Sequence, residues 1–328
     1  MKYRMLGKTG FEVSEVSLGT WQVGGRWGSP FSDSNAEEIL NRAIDLGVNF
    51  IDTADVYGDG LSEAAVGRVV RSRSERVYVA TKCGRQISPH VSEGYTPEVL
   101  EKYVHDSLRN TQLKTLDLVQ LHCPPTEVYY RPEIFALFDR LKQQGKIRNL
   151  GVSVEKIEEA IKAIQYPNVT TVQIIFNMFR HRPAELFFSL AQERNVGIIV
   201  RVPLASGLLT GKFDRSTTFD PDDHRNFNRE GASFDKGETF SGVDFETGLD
   251  AVEALKKLFP DPENLPAYAL RWVLMFDEVS CVIPGASKLR HVASNVGVSE
   301  LPPLTGEQMA GVRAIYETYI KEQVHQRW

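Results

Sequence analysis

The sequence predicts an α/β protein folded as a (β/α)8 TIM barrel, with an N-terminal β-hairpin before the barrel and additional C-terminal helices after it. Three observations carry that expectation. Short apolar runs of strand length return eight times along the chain, helix-like stretches lie between them, and polar residues gather just past the ends of the runs. The 328 residues suit one large barrel, taken as a single domain over 1–328. Alternation alone does not show closure, so an open doubly wound sheet is the rival. A glycine fingerprint opening a helix after the first strand would favour that rival, but Gly19-Thr20-Trp21-Gln22-Val23-Gly24-Gly25 lacks its spacing.

In chain order, residues 2–16 hold Gly7-Lys8-Thr9-Gly10 between short alternating segments and read as the hairpin. The run 16–21 is the first barrel strand and ends in a glycine loop. Ser34 is expected to cap the helix that follows, with Glu37 completing a capping box, Ile39, Leu40, Ala43, Ile44 and Leu46 on its apolar face, and Gly47 ending it. Further strands are expected at 48–51, 77–80, 116–121, 147–152, 172–176, 198–202 and 279–283. Helices are expected at 62–71, 97–113, 132–144, 155–164, 183–194, 265–276 and 288–296, and a long one at 305–326. The polar stretch 214–247 breaks the pattern and is long enough for a functional loop over a site or a disordered flap, with a plain surface insertion as the alternative. A helix over 244–259 follows it and stops at Pro260-Asp261-Pro262.

Composition narrows the function classes. A formal net charge of -5 gives no basis for binding nucleic acid. No apolar run reaches membrane-spanning length, and Met1-Lys2-Tyr3-Arg4 does not open a signal peptide. Cys83, Cys123 and Cys281 make no disulfide framework, in keeping with a cytoplasmic location. They have no chelating spacing and no two histidines sit close on one element, so no metal is expected. The oligomeric state is left open.

In such a barrel the reactive groups sit at the C-terminal ends of the strands. The polar residues there are Asp52 and Tyr57, Lys82, His122, Ser153, and Gln173 with Asn177. Each has a structural explanation by itself; their convergence on one rim is what points to chemistry. A lysine ending the run 77–81 is nearly buried by its context, and Asp52 on the neighbouring strand is its natural counter-ion. An ammonium beside Tyr57 is expected to lower the phenol pKa and make it a general acid, while His122 orients a carbonyl oxygen.

At this point the chain resembles the aldo-keto reductases, in the branch with bacterial general reductases and potassium-channel β-subunits. Asp52, Tyr57, Lys82 and His122 stand in that family's order, within Phe50-Ile51-Asp52-Thr53-Ala54, Val56-Tyr57-Gly58, Ala80-Thr81-Lys82 and Gln120-Leu121-His122. The resemblance runs from Leu18 to Asn295. It implies an NADPH-dependent reductase that moves hydride from nicotinamide to a small-molecule aldehyde or ketone, with these four residues catalytic and Tyr57 giving the proton. It also implies cofactor contacts from Gly19, Thr20, Trp21 and Asp52, with Ser153 and Gln173 at the carboxamide. Pro203, Leu204, Gly207, Leu208 and Lys212 would lie along the pyrophosphate, and Gly285, Ser287, Lys288, His291 and Asn295 at the adenosine end. Ser287 and Lys288, with Arg290 or His291, would meet a 2′-phosphate, which favours NADPH over NADH, the latter remaining possible.

Three positions depart from the family pattern: Val154 replaces an asparagine, Ser294 an acidic residue, and Arg201 the tyrosine that stacks on the nicotinamide. Arg201 is expected to lie against that ring or, like Arg180, to reach an anionic substrate. Trp21, Trp27, Tyr57, His122 and Phe179 are the candidate pocket aromatics. Two alternative functions stand beside the reductase: a slow NADPH-binding redox sensor, and a Schiff-base lyase using Lys82 as nucleophile.

Overall fold

The computed structural model describes residues 1–25 and 30–328. Strands β1 (Tyr3–Met5) and β2 (Glu12–Ser14) form the antiparallel hairpin, with Tyr3 opposite Ser14. Between them Gly7 takes φ +51, and a Cβ there would come within 2.2 Å of the Gly197 backbone nitrogen. Only glycine lets the hairpin seat this closely against the barrel.

Eight parallel strands follow: β3 (Leu18–Gly19), β4 (Phe50–Asp52), β5 (Tyr78–Cys83), β6 (Leu116–His122), β7 (Ile147–Ser153), β8 (Val169–Ile175), β9 (Gly197–Arg201) and β10 (Val279–Val282). Each pairs with the next in sequence order. The ring closes where the Ser17 N–H donates to the Val282 carbonyl and the Val282 N–H to the Glu15 carbonyl, each at 2.9 Å, and the Gly19 N–H to the Pro284 carbonyl at 3.2 Å. Sequential order with meeting ends excludes the doubly wound rival, whose strand order reverses. The first barrel strand is shorter than expected: its ladder to the next strand ends with the Thr20 N–H donating to the Asp52 carbonyl at 2.9 Å, and the chain turns from Trp21.

Helices α1 (Asp33–Asp45), α2 (Leu61–Ser72), α3 (Pro97–Thr111), α4 (Pro132–Gln143), α5 (Ile157–Ala163) and α6 (Phe187–Glu193) connect the strands. Ser32, not Ser34, caps α1: its hydroxyl accepts from the Asn35 N–H at 3.3 Å, and Glu37 pairs with Arg68 instead of closing a capping box. The 214–247 stretch is ordered around the short helix α7 (His224–Phe227), and α8 (Phe245–Leu258) starts at an Asp244 cap. Then come α9 (Leu265–Val273), α10 (Leu289–Gly297) and α11 (Gly306–Ile315). The single long helix expected over 305–326 is instead α11, a π-helical turn at Tyr316–Ile320, and α12 (Lys321–Val324). At that turn the Tyr316 ring stacks on His181 with centroids 3.9 Å apart, and its hydroxyl lies 2.9 Å from His325 Nδ1.

Inside the barrel the two-residue strand period sorts side chains by height. Phe50, Ala80, Leu118, Ile199, Cys281 and Ile283 form an apolar floor, plugged from below by Leu6, Phe11 and Val13 of the hairpin. The intervening residues Ile51 and Val79 face outward onto the buried sides of α1 and α2. Two residues above the floor, the inward positions turn polar: Asp52, Lys82, Gln120 and Arg201. The floor therefore fixes the height of the polar layer. Leu118→Ala should open a cavity there and cost about 2–5 kcal/mol, read as a lowered thermal midpoint; an unchanged midpoint would mean the floor is not close-packed.

Candidate functional site

The polar layer centres on Lys82, which is only 1% exposed. Its Nζ donates to Asp52 Oδ1 at 2.5 Å, to the Thr53 carbonyl at 2.9 Å and to Tyr57 Oη at 3.4 Å. The other Asp52 oxygen accepts from Gln120 Nε2 at 3.0 Å and Gln173 Nε2 at 2.8 Å. Both buried charges are thus paired and hydrogen-bonded, the condition under which such a pair survives burial. The loop after β4 carries Tyr57 back over this pair, its N–H donating to the Ala54 carbonyl at 3.1 Å. The Tyr57 ring stands edge-on to Trp21 at 5.2 Å and to His122 at 6.0 Å between centroids.

Burial sets the protonation states. Desolvation pulls the Lys82 pKa down, but the Asp52 carboxylate more than restores it, and the ammonium stays charged. That leaves no neutral amine for the Schiff-base alternative. His122 is held well below the usual histidine value, first by desolvation and then by Arg85, Lys82 and Arg201, so its imidazole is neutral. The expectation for Tyr57 reverses: desolvation raises its pKa, and the pull of Lys82, itself opposed by Asp52, only partly compensates. The phenol is therefore in its proton-bearing form at neutral pH.

A second charged network covers the same mouth. Glu238, on the ordered 214–247 segment, receives Arg85 Nη2 at 2.5 Å and Nη1 at 3.3 Å, and Arg201 Nη1 at 3.2 Å. Arg201 Nη2 lies 3.0 Å from Glu155 Oε1 and donates to the Val154 carbonyl at 3.0 Å. Arg85 Nη1 lies 3.5 Å from His122 Nε2. The segment is thus a cover tied to the rim. Ser241 Oγ accepts from Asn177 Nδ2 at 2.8 Å, and Arg180 donates to the Gly237 and Ser241 carbonyls at 3.2 and 3.0 Å. The expected freedom of Arg180 and Arg201 to meet a substrate is not what the geometry provides: Arg201 is locked by carboxylates, and Arg180 lies over the Trp328 ring at 4.3 Å. Cys123, Glu155 and Glu238 bring donor atoms within 4.8 Å of one another, but both carboxylates already face Arg201.

The remaining expected residues fall into two groups. Gly19, Thr20, Trp21, Ser153 and Gln173 ring the quartet; Ser153 Oγ is 3.5 Å from Gln173 Oε1, while the Gln173 amide is committed to Asp52. Pro203, Leu204, Gly207 and Leu208 form the loop after β9, with Gly207 at φ 103, and the exposed Lys212 ends it. Gly285, Ser287, Lys288, His291 and Asn295 surround the start of α10. Asn295 Nδ2 donates to the Gly285 carbonyl at 3.2 Å, and Ser287 Oγ lies 3.4 Å from His291 Nδ1. Burial, then the charges of Arg290, Lys288 and Lys212, hold His291 below its usual pKa, so two distant stretches share one basic cluster. Phe179 does not line the mouth; it is fully buried in the main core. Trp27 lies outside the described residues.

Sequence reasoning missed Gln120, Arg85, Glu155 and Glu238, and the edge contacts of His224 and Phe234 with Trp21 at 6.1 and 6.4 Å. Gln120 had a signal, standing two residues before His122 on the same inward face. It also missed Asp55, which is 2% exposed and whose two oxygens have no hydrogen-bond partner among the described residues. Desolvation, with the charge of Glu63, pushes its carboxyl up to about 8. A cleft of about 490 Å³ opens at the other end of the barrel, but the Arg4 guanidinium lining it is committed to Glu15 and three backbone carbonyls.

Residues 15–317 match the model of the Aldo/keto reductase family. The uncharacterized oxidoreductase YqkF of Bacillus subtilis (strain 168) is 30% identical over 318 residues, covering 96% of each chain. The holo structure of aldo-keto reductase AKR11C1 from Bacillus halodurans superposes with a TM-score of 0.78 at 28% identity, covering 99% of both chains. An aldo-keto reductase from Klebsiella pneumoniae, solved in complex with NADPH, shares the fold at 22% identity with a TM-score of 0.68, covering 96% of this chain and 95% of that one.

Asp55 gives a pH signature. Its folded pKa lies above the ordinary carboxyl value of about 4, so the folded state binds the extra proton and stability falls as pH rises from there through about 8. Asp55→Asn should be more stable than the parent at pH 8 by on the order of a few kcal/mol, read as a higher unfolding temperature. The two curves should converge near pH 4, and a constant offset across pH would contradict this assignment.

Proposed function

The chain belongs to the Aldo/keto reductase family, and from that premise we propose that it reduces an aldehyde or ketone with NADPH, using Tyr57 as the proton donor. It is an NAD(P)H-dependent, carbonyl-reducing oxidoreductase. The observation that carries the residue assignment is the Lys82 ammonium held between Asp52 Oδ1 at 2.5 Å and Tyr57 Oη at 3.4 Å.

The residues present suit a dinucleotide. Lys212, Lys288 and Arg290 supply positive charge for phosphates, with the His291 imidazole held neutral beside them, and among the described residues no side chain caps the start of α10. At Gly285 an added Cβ would meet, among the described residues, only Gln22 Oε1, at 3.6 Å, so a ligand has room to approach the backbone. Gly19, Thr20 and Trp21 would flank the nicotinamide end near Ser153, Gln173 and Asp52. Leu204, Gly207, Leu208 and Lys212 would follow the pyrophosphate beside Pro203. Ser287, Lys288, His291 and Asn295 would hold the adenosine end, favouring a 2′-phosphate and hence NADPH, with NADH the alternative.

Bound NADPH supplies the hydride that forms the new C–H bond at the carbonyl carbon. Tyr57, protonated at neutral pH, gives its proton to the carbonyl oxygen, and Lys82 stabilises the phenolate left behind. Asp52 keeps Lys82 charged and fixed, with Gln120 and Gln173 holding Asp52. His122, neutral, offers a hydrogen bond to the oxygen as charge develops on it. Because the Tyr57 pKa is raised, reduction should hold its rate through neutral pH and fall only on the alkaline side.

Tyr57→Phe removes the proton and leaves the ring contacts. Carbonyl reduction, followed by loss of NADPH absorbance, should fall by about 10²–10⁴-fold, while NADPH still quenches protein fluorescence as in the parent. Retained turnover would remove Tyr57 from the donor role.

A further inference from the structure

The charge count at the mouth exceeds what the transfer of a hydride and a proton requires. Lys82 and Asp52 cancel each other, but the second network holds two guanidiniums, Arg85 and Arg201, against the carboxyls of Glu155 and Glu238. Their surroundings push the two carboxyls in opposite directions. Desolvation, aided by Glu238, keeps Glu155 well above the usual carboxyl range, whereas Arg85 and Arg201 outweigh desolvation at Glu238 and hold it at about 2. Glu238 is therefore the carboxylate that both guanidiniums share, beside neutral His122.

The two arginines differ in access. Arg201 is buried and spends Nη2 on the Val154 carbonyl and the Cys123 thiol. Arg85, at the rim, is the less enclosed of the two, its side chain 17% exposed against 9% for Arg201; Nη1 sits 3.5 Å from His122 Nε2, and Cζ lies 5.4 Å from the centroid of the Phe234 ring on the cover. A carbonyl oxygen bonded to His122 would bring the next substituent on that carbon within reach of Arg85. The group now filling that reach is itself a carboxylate, Glu238, bound through both Nη atoms.

Resting on the reductase reading above, we infer that Arg85 is the specificity-determining residue for a 2-oxo carboxylate substrate, whose carboxylate exchanges with Glu238 on the guanidinium. A neutral carbonyl compound gains nothing from the exchange and leaves the Arg85–Glu238 pair closed. Selectivity for the charged substrate then comes from a fixed bidentate donor, and Glu238 acts as an internal competitor for it.

Pyruvate and methyl pyruvate test this with NADPH as reductant. The ester is the more electrophilic, so a preference for the acid cannot come from intrinsic reactivity. The native protein should favour pyruvate by about tenfold or more in kcat/KM. Arg85→Gln should lower the acid-to-ester ratio by about ten- to a hundredfold, mainly through the KM for the acid, and Glu238→Gln should raise it. Each ratio is taken within one protein, so losses of folded material cancel. Equal use of both substrates by the native protein, or a ratio untouched by either substitution, overturns the inference and leaves the reductase reading intact. With neither substrate reduced and no neutral aldehyde reduced either, both fall together.

Discussion

Everything at the mouth of this barrel depends on one buried ion pair. An isolated ammonium or carboxylate enclosed by protein is costly enough that it would rather change protonation state. Lys82 and Asp52 avoid that only because each finds the other at 2.5 Å, with the Thr53 carbonyl completing the lysine and two glutamine amides completing the aspartate. The pair sits at that height because the strand period places it two residues above an apolar floor. Closure of the ring then brings β4, β5, β6 and β8 close enough for their inward side chains to meet.

From that pair outward, burial among cations sets each proton. The phenol keeps its hydrogen, the imidazole lacks its second one, and the lysine stays charged, so the proposed acid, hydrogen-bond donor and electrostatic support would be distinct before any substrate arrives. The cover segment adds a second balance of charges above the first. Its Glu238 pairs with arginines from two different strand ends, which ties the segment to the rim.

Much of this was legible in the sequence, and the division follows from physical range. Apolar runs of fixed length and their helical intervals are local properties, so the eight strands and most helices could be read within a few residues. The convergence of Asp52, Tyr57, Lys82 and His122 was legible because three of them stand at strand ends, Tyr57 lies in the loop past one, and a barrel gathers strand ends. Cap identity was not, since Ser32 and Ser34 are equivalent candidates until the first turn is built. The π-helical turn at Tyr316 depends on a stacking partner, His181, far away in sequence. The direction of the Tyr57 shift was missed because sequence shows the nearby ammonium and hides the degree of burial and the opposing Asp52 charge. Glu238 left no signal, being one acid among many in a polar stretch; only the folded cover shows that it alone meets Arg85.

Lys82 and Asp52 act as a single buried unit, and a double-mutant cycle on folding stability measures that coupling most directly. Lys82→Met and Asp52→Asn should each cost on the order of 3–5 kcal/mol by leaving a buried charge unpaired, and the double variant should cost far less than their sum. Strictly additive losses would mean that the two side chains do not compensate each other's burial, and would contradict the account.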